Sequence, residues 1–319
     1  MALEPKKINE FQVNEHIIGF YLVKQADVKV GSNSKKYMDL ILSDKTGEIN
    51  GKLWDVSEAH QEQVKAQALV KVKALVTSWQ GSNQLKIEII RPVEERDEVN
   101  IEDFVASAPY MPEEMYREIL FYIDGMYNQD IKALVKRVFE GYKDKLMYYP
   151  AAKKNHHAIR SGLLYHILSM LKLGEKIAQL YDFLNRDLLF GGIILHDLAK
   201  MEEMDSSELG IVNDYTIEGT LLGHITQGIK NLQVLGEELG TNKEVLMLLQ
   251  HMVLSHHYEP EFGSPVRPMI PEAEILHYID IIDARMFDMR KVLEDVAPGE
   301  FSERLWSLEN RRLYKRKEV

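Results

Sequence analysis

Near residue 93 the hydrophobic period of this chain changes, and that change bounds what it can fold into. Across residues 17–92 apolar and polar residues alternate, the two-residue period of strands with one buried face. "YMDLILSD" puts Met38, Leu40 and Leu42 on one side, and "ALVKVKALVTSW" and "QLKIEIIRPV" alternate more strongly. "IIGFYLVKQADVKV" and "EINGKLWD" complete five strands, separated by "GSNSKK", "KTG" and "QGSN". The stretch "SEAHQEQVKAQ", between the third and fourth strands, reads as a short helix. Beyond the polar "RPVEERDEVN" (91–100), apolar residues recur every three or four positions. This second pattern predicts helices over 158–181, 186–201, 216–238, 242–257 and 271–295, preceded by others between 112 and 150.

Five strands with a helix after the third is the element order of an OB-fold barrel. The sequence therefore predicts a multidomain chain. An all-β OB-fold barrel spans 12–93, a helical linker region 94–150, an all-α bundle 151–300 and a basic tail 301–319, in which "RRLYKRK" lies. No apolar run reaches the roughly 18 residues of a membrane helix. The N-terminus lacks the apolar core of a signal peptide. With no cysteine, disulfides and thiolate metal sites are excluded, and a cytoplasmic protein is expected.

The formal charge of −11 is unevenly spread. Residues 1–93 hold 13 Lys/Arg against 11 Asp/Glu, whereas residues 94–319 hold 26 against 39. Nine of the 11 histidines fall within 156–277. The helical part is thus acidic and histidine-rich, the composition of a metal site built from imidazoles and carboxylates.

The pattern is sharpest in "LLFGGIILHDLAK", where His196 and Asp197 close an apolar helical run. Adjacent residues on a helix point about 100° apart, so both reach one ion only near a helix end. Gly191 and Gly192, one turn earlier, allow close approach of another helix. His166 ends "GLLYH", His224 sits in "LLGHI", His256 and His257 end "LLQHMVLSHH", and Asp280 lies in "ILHYIDIIDARM". Each follows an apolar stretch and so faces the core. One such histidine is ordinarily a hydrogen-bonded core residue, but a core receiving this many imidazoles and carboxylates needs cations to satisfy them. Asp283, three residues past Asp280, is a rival ligand. His157 reads as a supporting or substrate group, and His277 as a group that bonds to a ligand. His156 and His251 are weaker candidates.

The order H…HD…D resembles the HD-domain metal-dependent phosphohydrolases. Over nearly its whole length the chain resembles the YhaM-type 3′–5′ exoribonucleases, which join an OB-fold to an HD domain. "NHHAIRSGLLYHILSM", "GGIILHDLAK", "LLGHI", "LSHHYEPEFGSPVRP" and "EAEILHYIDIIDARM" carry the resemblance. By position it implies His166, His196, Asp197 and Asp280 as HD ligands, with His224, His256 and His257 for a second metal. It implies Lys200 beside the metals and Mn²⁺ as the ion. Mixed N/O ligation also suits Fe²⁺, Co²⁺ or Zn²⁺.

The implied chemistry is phosphodiester hydrolysis by one or two divalent ions, which in two-metal sites lie roughly 3.5–4 Å apart. Asp197 is the natural bridge, and Lys200 meets a phosphate oxygen as charge builds in the transition state. Arg267 and, more weakly, Ser264 are candidates for the substrate phosphate. In the barrel, Trp54 and Trp79 offer stacking platforms beside Tyr37, Lys35, Lys36, Lys52, Lys71, Lys73 and Lys86. The expected partner is single-stranded RNA, with single-stranded DNA and further copies of the chain left open. The alternatives are an HD phosphohydrolase of nucleotides or cyclic dinucleotides, and a non-catalytic single-strand-binding module.

Overall fold

In the computed structural model, which describes residues 5–31 and 34–317, the chain forms two compact units, Met1–Ala106 and Ser107–Val319. The first carries β1 (His16–Val30), β2 (Lys36–Asp44), β3 (Gly47–Leu53), α1 (Glu58–Gln63), β4 (Leu69–Trp79) and β5 (Ser82–Pro92). They close into a barrel in the order β1-β2-β3-β5-β4. Neighbours are antiparallel except β3 and β5, a parallel pair that requires the crossover through α1 and β4. The alternation seen in sequence is the barrel wall. Met38, Leu40 and Leu42 of β2, Val70, Val72, Ala74 and Val76 of β4, and Leu85 and Ile87 of β5 all point inward and are buried. Ser57 caps α1 by accepting a hydrogen bond from the His60 backbone at 3.2 Å. Gln80 and Gly81 turn β4 into β5 with positive φ at both positions, the turn that suits the twist of a hairpin.

The barrel unit runs past the boundary expected at residue 93. Asp97 accepts hydrogen bonds from Arg91 at 2.7 and 2.8 Å and from Lys71 at 2.9 Å, which fastens the following segment to β4 and β5.

The second unit holds α2 (Pro112–Asp124), α3 (Gln129–Gly141), α4 (Lys143–Leu146), α5 (Gly162–Leu180), α6 (Arg186–Leu195), α7 (Lys200–Glu203), β6 (Met204–Ser206), β7 (Val212–Tyr215), α8 (Ile217–Leu239), α9 (Lys243–Ser255) and α10 (Pro271–Glu294). Residues 112–146 are not a linker. Met115, Ile119 and Ile123 of α2 and Ile131, Leu134, Val135 and Val138 of α3 lie in the same core as α5, α6 and α9. Tyr116 stacks on Phe139 with ring centroids 4.8 Å apart. Fully burying each such side chain contributes on the order of 1.5–3 kcal/mol. The unit is not wholly α-helical either, since β6 and β7 pair as a short antiparallel hairpin.

The expected helix over 186–201 is two. α6 ends at Leu195, His196 is its C-cap, and α7 begins at Lys200. Every residue of α6 from Asp187 to Leu195 is buried, making it the central helix. A Cβ on Gly192 would lie 2.2 Å from Met252 Cε, so the glycine leaves the room that the Met252 side chain of α9 fills. Within the expected basic tail, residues 311–315 pair back against 299–305, while Glu318 and Val319 lie outside the described residues. Among the described residues no helix is long and apolar enough to cross a membrane.

Candidate metal centre

The end of α6 delivers His196 and Asp197 into the core of the second unit, where both are buried. Asp197 is the hub. Its Oδ2 lies 2.7 Å from Lys200 Nζ, 3.3 Å from His196 Nε2 and 3.9 Å from His166 Nε2. Its Oδ1 lies 3.4 Å from His224 Nε2 and 3.7 Å from His256 Nε2. Burial works to raise its pKa, but the neighbouring His196 ring and the Lys200 ammonium hold it well below the usual carboxylate range.

The imidazoles are oriented from behind. His196 Nδ1 donates to the Ile193 carbonyl at 2.8 Å and His256 Nδ1 to the Val253 carbonyl at 2.7 Å. His257 Nδ1 donates to the Phe262 carbonyl. A carbonyl only accepts, so in these three the proton sits on Nδ1 and the Nε2 lone pair is free to coordinate. His224 and His166 are backed by carboxylates instead. His224 Nδ1 is 3.0 Å from Glu203 Oε2, and its backbone N–H donates to Glu203 Oε1 at 3.2 Å. That N–H is available because α8 is broken at Gly223, whose φ of 69° and ψ of 159° leave the helix. His166 Nδ1 meets Asp283 Oδ2 at 2.8 Å.

The consequence is a set of buried polar atoms with no hydrogen-bond partner: Nε2 of His166, His196, His224 and His256, and Oδ1 of Asp197. One orphan of this kind costs about 1–3 kcal/mol, and a cluster of lone pairs aimed at one place is repulsive as well. A cation removes both penalties. Two groups place their ligand atoms within 4.8 Å of one another: His166, His196 and Asp197, and Asp197, His224, His256 and His257. They share Asp197. Asp280 borders the first, its Oδ1 3.3 Å from His166 Nε2. The donors are nitrogen and oxygen only, which fits a borderline divalent transition metal.

A scan against family models matches the HD domain to residues 163–285. The 3′–5′ exoribonuclease YhaM of Bacillus pumilus is 44% identical over 310 residues, 97% of this chain and 98% of that protein. YhaM of Bacillus subtilis matches at the same identity and over the same shares. The chain belongs to the YhaM 3′–5′ exoribonuclease family. Solved structures similar to its barrel include the second OB-fold domain of replication protein A from Methanococcus maripaludis, at 24% identity, 28% of this chain, 96% of that one and a TM-score of 0.24.

In this member of the YhaM family the structure separates Asp280 from Asp283. Asp283 stands behind His166, not beside Asp197. Its Oδ2 also takes His157 Nε2 at 2.7 Å, and its Oδ1 accepts from Ser169 Oγ. Ligand atoms of His157, His166 and Asp283 also cluster within 4.8 Å, and these hydrogen bonds account for them. Burial lowers the His166 pKa, but Asp280 and Asp283 outweigh it and push it up to about 10. Asp283→Asn keeps the shape and removes the charge that fixes the ring. We expect it to weaken Mn²⁺ binding about 10–100-fold, measured by isothermal titration, with circular dichroism of the metal-free protein checking that the variant is folded. Wild-type Mn²⁺ affinity in the variant would sink that role.

Glu203 and Ser169 were not visible as site residues in the sequence. The only signal for Glu203 was an acidic residue six positions past Asp197, in "KMEEMD". His277 Nδ1 is 2.8 Å from the His256 carbonyl, and His251 accepts from the Met269 backbone at 2.9 Å, so both act on backbone. The His156 ring lies 5.9 Å from that of His166, and burial takes its pKa down to about 4. Ser264 accepts from the His257 backbone N–H at 3.0 Å, which occupies it structurally. Arg267 pairs with Glu259 at 3.1 Å and lies over the Tyr258 ring, with its head exposed.

In the barrel unit the predicted grip residues divide. Trp54 stacks on Tyr37 with centroids 4.9 Å apart, and Lys52 lies 5.6 Å from the Tyr37 centroid. Lys52 sits beside Lys86 in the β3–β5 register. Trp54 is 44% and Trp79 63% exposed. Lys71 and Lys73 face outward as expected but lie on β4, which β1 and β5 separate from β2 and β3. Each ammonium already has a partner, Asp97 at 2.9 Å and Glu88 at 3.2 Å. They are not part of the Trp54 face.

Proposed function

We propose that this chain hydrolyses single-stranded RNA from its 3′ end in a metal-dependent reaction. The convergence of four unpartnered Nε2 atoms and Asp197 Oδ1 carries the metal dependence, and the YhaM family carries polarity and substrate. His166, His196 and Asp280 would hold one ion and His224, His256 and His257 another, with Asp197 offering one oxygen to each group. Mn²⁺ fits the donor set. Bound there, such ions supply Lewis-acid polarisation of the phosphate and a water acidified toward neutral pH.

The chain's own groups do the remaining work. Asp197 holds Lys200 charged, although burial works to lower its pKa. One of its three N–H donors is used on Asp197 Oδ2, leaving the others for a non-bridging phosphate oxygen whose charge grows in the transition state. The Tyr37–Trp54 stack, Trp79, Lys52 and Lys86 would hold the upstream strand by base stacking and phosphate contacts. Arg267 would meet phosphate at the helical unit. A chain without cysteine suits the reducing cytoplasm this activity implies.

The test is a 5′-labelled single-stranded RNA incubated with the protein and Mn²⁺. A ladder shortening from the 3′ end and abolished by EDTA is expected. Hydrolysis of mononucleotides or cyclic dinucleotides alone, or binding without cleavage, would overturn the proposal.

A further inference from the structure

Residues 299–315 form an antiparallel ladder at the C-terminal end. Gly299 N–H donates to the Lys315 carbonyl at 2.7 Å, Lys315 N–H to Glu300 at 2.9 Å, Ser302 N–H to Leu313 at 2.8 Å and Leu305 N–H to Arg311 at 3.0 Å. Its two faces differ sharply. Ser302 and Leu308 are buried and Leu313 is half-buried. Phe301 and Tyr314, paired across the ladder, are 55% and 49% exposed with centroids 5.1 Å apart. The Arg312 guanidinium lies 5.2 Å from the Phe301 centroid, anchored by Nε to the Ser302 carbonyl, with its terminal nitrogens outward. Arg316 follows Tyr314 by two residues and is exposed. Trp306, at the tip, is 80% exposed.

The charge of this segment opposes that of its surroundings. Residues 301–317 hold six Lys/Arg against two Asp/Glu, whereas residues 94–300 hold 20 against 36. Glu303 shares the aromatic face by period, and Glu309 engages Arg311 and Arg285. Among the described residues no carboxylate pairs with Arg312, Lys315, Arg316 or Lys317. Planar rings alternating with cations on a solvated face match stacked bases and phosphates at successive nucleotides. The segment gives an acidic unit a local site for a polyanion that its remaining surface repels.

We propose that this C-terminal ladder is a second single-strand-binding element, separate from the barrel, that stacks RNA bases on Trp306 and the Phe301–Tyr314 pair and holds phosphates with Arg312 and Arg316. It rests on the RNA-degrading function proposed above.

The test uses the full chain in EDTA, so that RNA stays intact, and the fluorescence anisotropy of a labelled 20-nucleotide oligouridylate. Trp306→Ala is expected to raise the Kd about tenfold. Arg312→Gln with Arg316→Gln is expected to make the plot of log affinity against log salt shallower by about 1.4. Mn²⁺-dependent hydrolysis of a dinucleotide should be unchanged in both, as should the melting profile. Wild-type affinity and salt slope in both variants would overturn the ladder as a binding element while leaving the functional reading intact. Failure of the wild-type chain to bind or cut RNA would overturn both. A change of mass by light scattering in the variants, without a change in RNA affinity, would assign the face to contacts between copies of the chain and reject the proposal.

Discussion

Asp197→Ala is expected to reduce RNA hydrolysis roughly a thousandfold or more and to remove bound metal altogether. Among the described residues no other side chain belongs to both groups of the centre. Its two oxygens lie within 3.9 Å of four imidazoles and one ammonium. With the carboxylate gone, neither histidine group has an anionic donor from this position, and the first retains only Asp280. The variant also leaves Lys200 buried without its counterion, which costs a few kcal/mol, so instability would mimic loss of function. Asp197→Asn separates the two causes because it keeps the shape and one oxygen. It should fold, as judged by circular dichroism, yet fail to retain Mn²⁺ in elemental analysis after desalting. A folded Asn variant with a full metal complement and more than a tenth of wild-type activity would refute the central role of Asp197.

The donors of this centre were legible because each ends an apolar run, and a polar group there has nowhere to go but inward. The supporting groups were not. Asp280 and Asp283 are three apart on α10 and share a face, so helical period does not rank them and only the family resemblance favoured Asp280. What separates them is that the His166 ring stands between, with Asp280 at Nε2 and Asp283 at Nδ1. Glu203 acts only because the break at Gly223 frees the His224 N–H, a backbone event that no period reports.

The fold shows the same division. The barrel strands were legible through their two-residue period, which depends only on which face is buried. The end of α6 was not, since "HDLAK" contains no helix breaker. The helix stops there without a proline or glycine, at the point where Asp197 meets His166, His224 and His256, which are tertiary partners. β6 and β7, three and four residues long, are too short to display a period. Lys71 and Lys73 were correctly read as outward-facing, but a strand pattern says nothing about which carboxylates arrive opposite, and Asp97 and Glu88 arrive from other segments.

Lys200→Gln should lower kcat about 10²–10³-fold while leaving the metal content and the KM for RNA close to wild type. The split matters because Lys200 has two possible roles. It pairs with Asp197 at 2.7 Å, so it could act only by holding that carboxylate. In that case Gln would disturb metal binding first, and activity would return with added Mn²⁺. If the ammonium instead meets the phosphate as charge develops, the loss falls on kcat and no concentration of Mn²⁺ restores it. Lys200→Arg sharpens the distinction. A guanidinium keeps the charge and can still bond Asp197, but its planar fork does not reproduce a compact ammonium in a buried site. Recovery of metal retention without recovery of kcat would assign Lys200 to the transition state. Recovery of both would mean that charge alone suffices, and equal loss of both would reduce Lys200 to a support for Asp197.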